Sequence, residues 1–362
     1  MTDREHEIVE RLLTFISEED PATDDEFNAI ALELFGYQFE HNVPFRRFCQ
    51  QRGSTLRTVK TWRDIPAVPI SAFKDLALSC CAPECAQRVF MTSGTTQGGV
   101  RGKCYHPSLD VYDASMIHNF AHRVMRGSDK IRMGILFPTE EVMPNSSLAH
   151  YLSLACAHFG APGSGHLLGD NGVELDTLLN TLSEVTSTGE PYALLGASYS
   201  FVHVMDALHE SGTQVQLPPG SFLMDTGGFK GQSRELALDE FYGELSAVFG
   251  VPRQRCLNMY GMTELSTQFY DWGNAESPAV KSGPHWIRTR VVNPLTGDDV
   301  PDGEQGVLAH TDLAHFNIVT TILTEDAGVV VDDGFLLLGR ADGAEAKGCS
   351  MAVEEFLRAA KG

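Results

Sequence analysis

Met91-Thr92-Ser93-Gly94-Thr95-Thr96-Gln97-Gly98-Gly99-Val100-Arg101-Gly102-Lys103 is the stretch on which the reading of this chain turns. It gathers one serine, three threonines, four glycines and two cations directly after the apolar pair Val89-Phe90. Glycine lets a backbone come close to a ligand and adopt positive φ, so that successive N–H groups face one concavity. The hydroxyls of Thr92, Ser93, Thr95 and Thr96 add donors, and Arg101 and Lys103 bring positive charge for an oxyanion. That set suits a polyphosphate. It lacks the Gly-Lys-Ser/Thr ending of a Walker loop, and a hairpin turn or exposed loop has the same composition. The remainder of the chain has to decide.

The 362 residues suffice for one large domain or two closely packed ones. A net charge of −21 opposes binding to nucleic acid or to an anionic membrane surface, so a nucleotide would need cations gathered locally. No run of about eighteen apolar residues predicts a membrane span. The charged start, Met1-Thr2-Asp3-Arg4-Glu5-His6-Glu7, does not read as a signal peptide, and a cytoplasmic protein is expected. The eight cysteines are then expected to be reduced, and Cys80, Cys81 and Cys85 have no second pair at zinc spacing.

Residues 4 to about 50 carry apolar positions at helical spacing, with Asp24-Asp25 suited to a helix start. Ile65-Pro66-Ala67-Val68-Pro69-Ile70 is extended by its prolines, and Ser71 is expected to cap a short helix through Leu76. Helices are predicted at 108–125, 146–159, 173–187, 200–211 and 235–249. Between them lie short apolar strands at 131–137, 192–196, 221–225 and 255–259. Such alternation implies an α/β fold with parallel pairing. After Trp286 strands and turns dominate, so the expected division is an α/β core over 1–285 and a smaller β-rich subdomain over 286–362.

Four further segments draw attention. Asp225-Thr226-Gly227-Gly228-Phe229-Lys230-Gly231 follows a strand, where ligands of α/β sheets collect, although a plain strand-to-helix loop reads the same. Met259-Tyr260-Gly261-Met262-Thr263-Glu264 offers a ring for stacking, a hydroxyl for phosphate and a carboxylate for a hard cation; the bland alternative is a helix start. Leu323-Thr324-Glu325-Asp326-Ala327-Gly328 reads as a strand end presenting Asp326 to ribose hydroxyls, or as a hairpin turn. In Leu338 to Ser350, Arg340 offers a fork to ribose or phosphate. Cys349 precedes a helix predicted over 351–360, where the dipole and Lys347 would favour its thiolate. A lone cysteine is otherwise an inert small hydrophobe.

Taken in order, Thr-Ser-Gly-Thr-Thr, Gly-Gly-Phe-Lys-Gly, Tyr-Gly-Met-Thr-Glu, Thr-Glu-Asp-x-Gly and Gly-Arg resemble the acyl-adenylate-forming superfamily. Ile65 to Lys74 and Gly343 to Ser350 are similar to the acyl-protein synthetases of bacterial luciferase systems within it. The resemblance implies a layered adenylate-forming fold with mixed and parallel sheets. It also implies ATP with Mg²⁺ as cofactors: a carboxylic acid, fatty or aromatic, is converted to acyl-AMP and captured by a thiol. By this likeness Thr92, Ser93, Gly94, Thr95, Thr96 and Lys103 surround the phosphates, and Gly227, Gly228, Tyr260 and Gly261 the adenine. Thr263 meets the α-phosphate, Glu264 holds the metal, and Asp326 and Arg340 hold the ribose. Cys349 matches the cysteine that carries the acyl group to a partner protein, an acyl reductase or acyl carrier protein.

The chain departs from relatives in two motifs, with Gln97-Gly98-Gly99-Val100 where Gly-x-Pro-Lys is usual and Glu325 where Thr-Gly-Asp has glycine. Larger ligases continue past the Gly-Arg hinge into a lid domain, whereas this sequence stops at Gly362, so the expectation is adenylation without the lid, a partner completing the site, or adenylation lost. The competing reading is an ATP-independent acyltransferase that moves a group from coenzyme A through Cys349 to a carrier protein. His150, Tyr199, His285 and Trp286 are candidates for the pocket of the acid, and each is equally suited to core or loop.

Overall fold

In the computed structural model the described residues are 2–18, 22–93, 100–169, 172–229, 231–331 and 334–361. Three helices open the chain, Asp3–Ser17, Asp24–His41 and Val43–Gln51. Thr2 and Thr23 begin the first two, each accepting from the backbone three residues on while Glu5 and Glu26 reach back to the cap. These capping boxes satisfy N–H groups that a helix end otherwise leaves unpaired. In place of the expected helix capped by Ser71, the 3₁₀ segment Ile70–Lys74 has no side-chain cap. Ser71 lies inside that segment and donates instead to Glu325.

The chain forms two compact units. The first comprises 1–118, 262–267 and 282–362, the second 119–261 and 268–281, which differs from a division at 285/286. The N-terminal helices thus share a unit with the β-rich segment. Buried polar groups show why: Gln38 and Asn42, both fully buried, donate to the carbonyls of Phe316 and Ile318 at 2.7 and 2.9 Å. A sequence period marks an apolar face but not the partner that face will meet.

In the second unit the strands Arg132–Leu136, Tyr192–Ala197, Phe222–Thr226 and Cys256–Tyr260 pair in parallel, with Phe269–Tyr270 antiparallel at one edge. Tyr192–Ala197 and Phe222–Thr226 are buried at every position, as expected of strands covered on both faces. Helices Leu175–Thr188, Ser198–Ser211 and Leu238–Phe249 supply Leu182, Val185, Phe201, Met205, Phe241 and Phe249 to one core. The last of these helices begins three residues later than its acidic start suggested.

The sheet of the first unit runs Val68–Pro69, Thr321–Val331, Gly306–Asp312, Ile287–Val292, with Gly334–Arg340 also paired to Thr321–Val331. Asp326 therefore lies inside an 11-residue strand and not at its end. Pairing on both sides prolongs the strand, and Gly328 permits it: a methyl there would meet Leu308 at 2.7 Å and the carbonyl of Leu336 at 2.8 Å. Asp312 closes the neighbouring strand, fully buried. It accepts from the N–H groups of Ser266, Thr267 and Ala314 and from the Thr267 hydroxyl, at 2.8, 2.9, 3.0 and 2.7 Å. Replacing it leaves three buried backbone N–H groups and the Thr267 hydroxyl without this acceptor. Asp312→Ala is expected to lower the urea unfolding free energy by about 3 kcal/mol or more; a loss under about 1 kcal/mol would show that the turn is held by other means.

Candidate active site

The phosphate-type loop joins two antiparallel strands, Arg88–Met91 and Lys103–His106. The hairpin alternative and the ligand-loop reading thus describe the same segment. Gly94, Thr95 and Thr96 lie outside the described residues, as do Gln97, Gly98 and Gly99. At its neck the Thr92 N–H donates to the Gly102 carbonyl and the Gly102 N–H to the Thr92 hydroxyl, both at 3.0 Å. Ser93 is exposed, and Lys103 opens the second strand opposite Met91.

Glu264 reaches this neck. A methyl on Gly102 would lie 3.2 Å from Thr92 Cγ2 and 3.4 Å from both Glu264 Oε1 and Phe73 Cβ. Glycine leaves room for this approach, a role that the loop's composition alone does not single out. Thr263 and Glu264 belong to a turn, not to a helix start. Glu264 is 5% exposed. Burial pushes its carboxyl up to about 7, reinforced by Glu325 and opposed by its own backbone N–H, Arg340 and Lys74. The Glu264 carboxyl, an oxygen donor brought beside Gly102 and Thr92, is of a kind that suits a hard divalent ion.

Asp326 and Arg340 stand directly opposite each other in the ladder, their charged groups 3.5 Å apart. Arg340 also reaches Glu325 at 3.4 Å. Arg340 thus engages both Asp326 and Glu325, and the charges of Arg340 and Glu325 act on Glu264 in opposite senses.

Cys349 departs from expectation. The C-terminal helix runs Gly343–Lys361, so the thiol sits within it and not ahead of it. It is 6% exposed, packed with Val292, Val307, Ala309, Leu323 and Ala352, and its Sγ lies 3.8 Å from the Thr324 carbonyl. Burial pushes the thiol up to about 11, followed by the charges of Glu325, Glu345 and Asp326. The dipole and Lys347 do not make it a thiolate in this conformation. The neighbouring Gly348 fits because a methyl there would meet Pro294 at 2.6 Å.

In the second unit Gly227 takes φ +75° at the end of Phe222–Thr226, and Gly228 has nothing near its missing side chain. Tyr260 ends its strand, 9% exposed and tilted against Phe269, followed by Gly261 near Met259. His150 is buried with Nδ1 3.0 Å from Glu140. Tyr199 stands edge-on to His203, its phenol raised by burial. In the first unit His285 Nε2 lies 2.7 Å from the Phe15 carbonyl, and the Trp286 indole donates to Ser115 and Thr267 at 2.9 and 3.1 Å. The polar atoms of this last pair are engaged in holding the fold. Asp206, His209 and Glu244 have metal-ligand spacing, but Arg234 already bonds Asp206 and Glu244 at 2.9 and 2.6 Å.

Alkylation follows from the thiol's setting. Iodoacetamide at pH 7.5 is expected to label exposed Cys85 at least about tenfold faster than Cys349, whose labelling should climb about tenfold per pH unit toward 11. Equal rates, measured by peptide mass, would contradict the buried position.

A family model described as acyl-protein synthetase, LuxE, matches residues 13–358. The long-chain-fatty-acid--luciferin-component ligase of Vibrio harveyi is 21% identical over 304 residues, 83% of this chain and 78% of that protein. The protein of the same name from Aliivibrio fischeri is 20% identical over 302 residues, 82% and 77% of the two chains. An open conformation of 2-hydroxyisobutyryl-CoA ligase, solved with 2-HIB-AMP and CoA, aligns with TM-score 0.64 at 14% identity, over 88% of this chain and 74% of that one. That likeness is one of fold, a layered α/β scaffold shared with an adenylate-forming enzyme. With its ordered motifs and a match over nearly its whole length, the chain belongs to the acyl-protein synthetase family, LuxE, and is an enzyme.

Proposed function

We propose that the chain joins a long-chain fatty acid to AMP in the cradle between the hairpin loop and Glu264, then holds the acyl group on Cys349 for a thiol of a partner protein. The observation that carries this reading is the approach of the buried Glu264 to Gly102 and Thr92, which brings the carboxylate motif to the neck of the phosphate-type loop. Fatty acids are preferred over aromatic ones on the names of the two bacterial relatives. The ATP-independent route from coenzyme A finds no support in those names.

The acid's carboxylate oxygen attacks the α-phosphorus of ATP, and pyrophosphate leaves. Thr92, Ser93, Lys103 and the loop backbone bind and orient the phosphates. Thr263 is the donor for the α-phosphate, and Asp326 with Arg340 holds the ribose. Glu264 would hold Mg²⁺, which when bound offsets the charge developing on the phosphate oxygens. Preorganised donors in a buried site act without the reorganisation that water would require. The Cys349 thiol, once displaced from its buried seat, gives its proton to solvent, its sulfur attacks the acyl carbonyl, and the bond to the phosphate oxygen breaks so that AMP departs, leaving the acyl group stored as a thioester. The partner's thiol then takes the acyl group and returns the proton to Cys349.

ATP–pyrophosphate exchange with a panel of acids tests the first step and intact mass the second. Cys349→Ser is expected to keep exchange within about twofold while the acyl adduct vanishes, because the thiol acts only after adenylation. Exchange lost together with the adduct would place the cysteine in the first step and overturn this order. Gly102→Ala should lower exchange about tenfold or more with little change in melting temperature, since the added methyl presses on Thr92 and Glu264. Unchanged exchange would remove the neck from the site.

A further inference from the structure

The proposed adenine walls both belong to the second unit. One is the turn Thr226-Gly227-Gly228, the other Tyr260 at the end of the adjacent strand. A single buried side chain ties them. Asp225, 3% exposed, precedes the turn. Its Oδ2 accepts from the Ser198 hydroxyl at 2.7 Å and from Asn258 Nδ2 at 3.0 Å, and its Oδ1 from the Tyr242 hydroxyl at 2.9 Å.

Each donor comes from a different element. Ser198 is the first residue of the helix after Tyr192–Ala197, and its hydroxyl also lies 3.2 Å from the Thr226 carbonyl and 3.4 Å from that of Gly227. Asn258 stands two residues before Tyr260, directly opposite Asp225 in the parallel ladder. Its own N–H is fixed by Asp271 at 3.2 Å, and Asp271 is paired with the buried Lys281 at 2.6 Å. A second link, from the Thr226 hydroxyl to the Met259 carbonyl at 2.9 Å, runs beside the first. The Oδ2 side of Asp225 thus faces the two walls, and the Oδ1 side faces the helix Leu238–Phe249.

Such a network is more than the fold requires. A buried carboxylate surrounded by donors is expensive unless every lone pair is used, and a fully apolar contact between strands of this kind would hold the sheet equally well. What the carboxylate adds is a fixed separation between the turn and the tyrosine. We propose that Asp225 is a positioning residue for the nucleotide: through Ser198 and Asn258 it sets the gap into which adenine enters. The inference rests on the adenine reading of Gly227, Gly228 and Tyr260.

Asparagine at 225 keeps the shape of the side chain but removes the charge that strengthens the bonds from Ser198 and Asn258. Tyr242→Phe removes the Oδ1 bond alone. Asp225→Asn is expected to raise KM for ATP, and the Kd for AMP, about tenfold or more while KM for the acid stays within about twofold. Tyr242→Phe is expected to lower the melting temperature by a similar amount and to leave both nucleotide constants within about twofold. Amide exchange adds a readout independent of nucleotide: Gly227, Gly228 and Tyr260 should exchange about fivefold faster in Asp225→Asn and unchanged in Tyr242→Phe. Equal effects of the two variants on KM for ATP, or unaltered exchange at those amides in Asp225→Asn, would overturn the positioning role. Faster exchange with a wild type that binds no AMP would instead fell the adenine reading and, with it, the role in nucleotide binding.

Discussion

A carboxylate with no solvent around it holds the turn that bears Glu264 in place. Asp312 receives hydrogen bonds from the backbone of Ser266 and Thr267, two and three residues beyond Glu264. The Thr267 hydroxyl that completes the grip lies 3.0 Å from Ser115 and 3.1 Å from the Trp286 indole. These bonds fasten a short non-helical segment to a strand of the β-rich sheet. Without them, residues 262–267 would have few regular hydrogen bonds to fix their course, and the reach of Glu264 to the loop neck would be left to side-chain packing. Buried donors rarely tolerate the loss of their acceptor. The placement of the metal-binding candidate is therefore inherited from a residue outside every recognised motif.

The periodic parts of the chain were legible because period is a local property. Helical spacing through residues 4–50 became three helices, and the apolar runs at 192–196 and 221–225 became the buried strands of a parallel sheet. The ligand segments were legible through resemblance: their order along the chain survives even where single residues change. Illegible were features set by pairing at a distance. Asp326 looked like a strand end because glycine follows it, yet Gly328 serves close approach to Leu308 and Leu336 within a continuing ladder. Ser71 has the chemistry of a cap, but Glu325 claims its hydroxyl. Asp312 and Asp225 sit in ordinary apolar contexts, and only the fold surrounds them with donors. Lys281 and Asp271, ten residues apart, could not be read as a buried pair from either neighbourhood.

Cys349 shows how the same electrostatics cuts both ways. A chain at −21 needs its cations near an anionic substrate, and Arg340 serves Asp326 and Glu325 at such a point. The acids that engage Arg340 also face the sulfur and disfavour its ionised form. A resting enzyme gains from that arrangement, since a neutral buried thiol is slow to oxidise or to be alkylated. In the proposed reaction, neutralisation of those acids by a cationic contact, or displacement of the helix from them, would restore nucleophilicity when it is needed.

The tight seat of Gly348 against Pro294 reaches further than packing. A side chain as small as one carbon has no space at that point, and the next residue is the one that would acquire a fatty tail. If Cys349 carries the acyl group as proposed, its sulfur must leave its packing with Val292, Leu323 and Ala352, and the loaded and unloaded chains would differ at this end of the molecule. Loading would pry Gly343–Lys361 from its bed and strain the clasps along its far half. These are the two-pronged grip of Arg52 on Glu355, the Arg47 hold on the Ala360 carbonyl, and the ring contact of Phe48 with Phe356. The thioester would then be legible from outside as a shape, and a recipient protein could tell a charged donor from an empty one before any bond is exchanged.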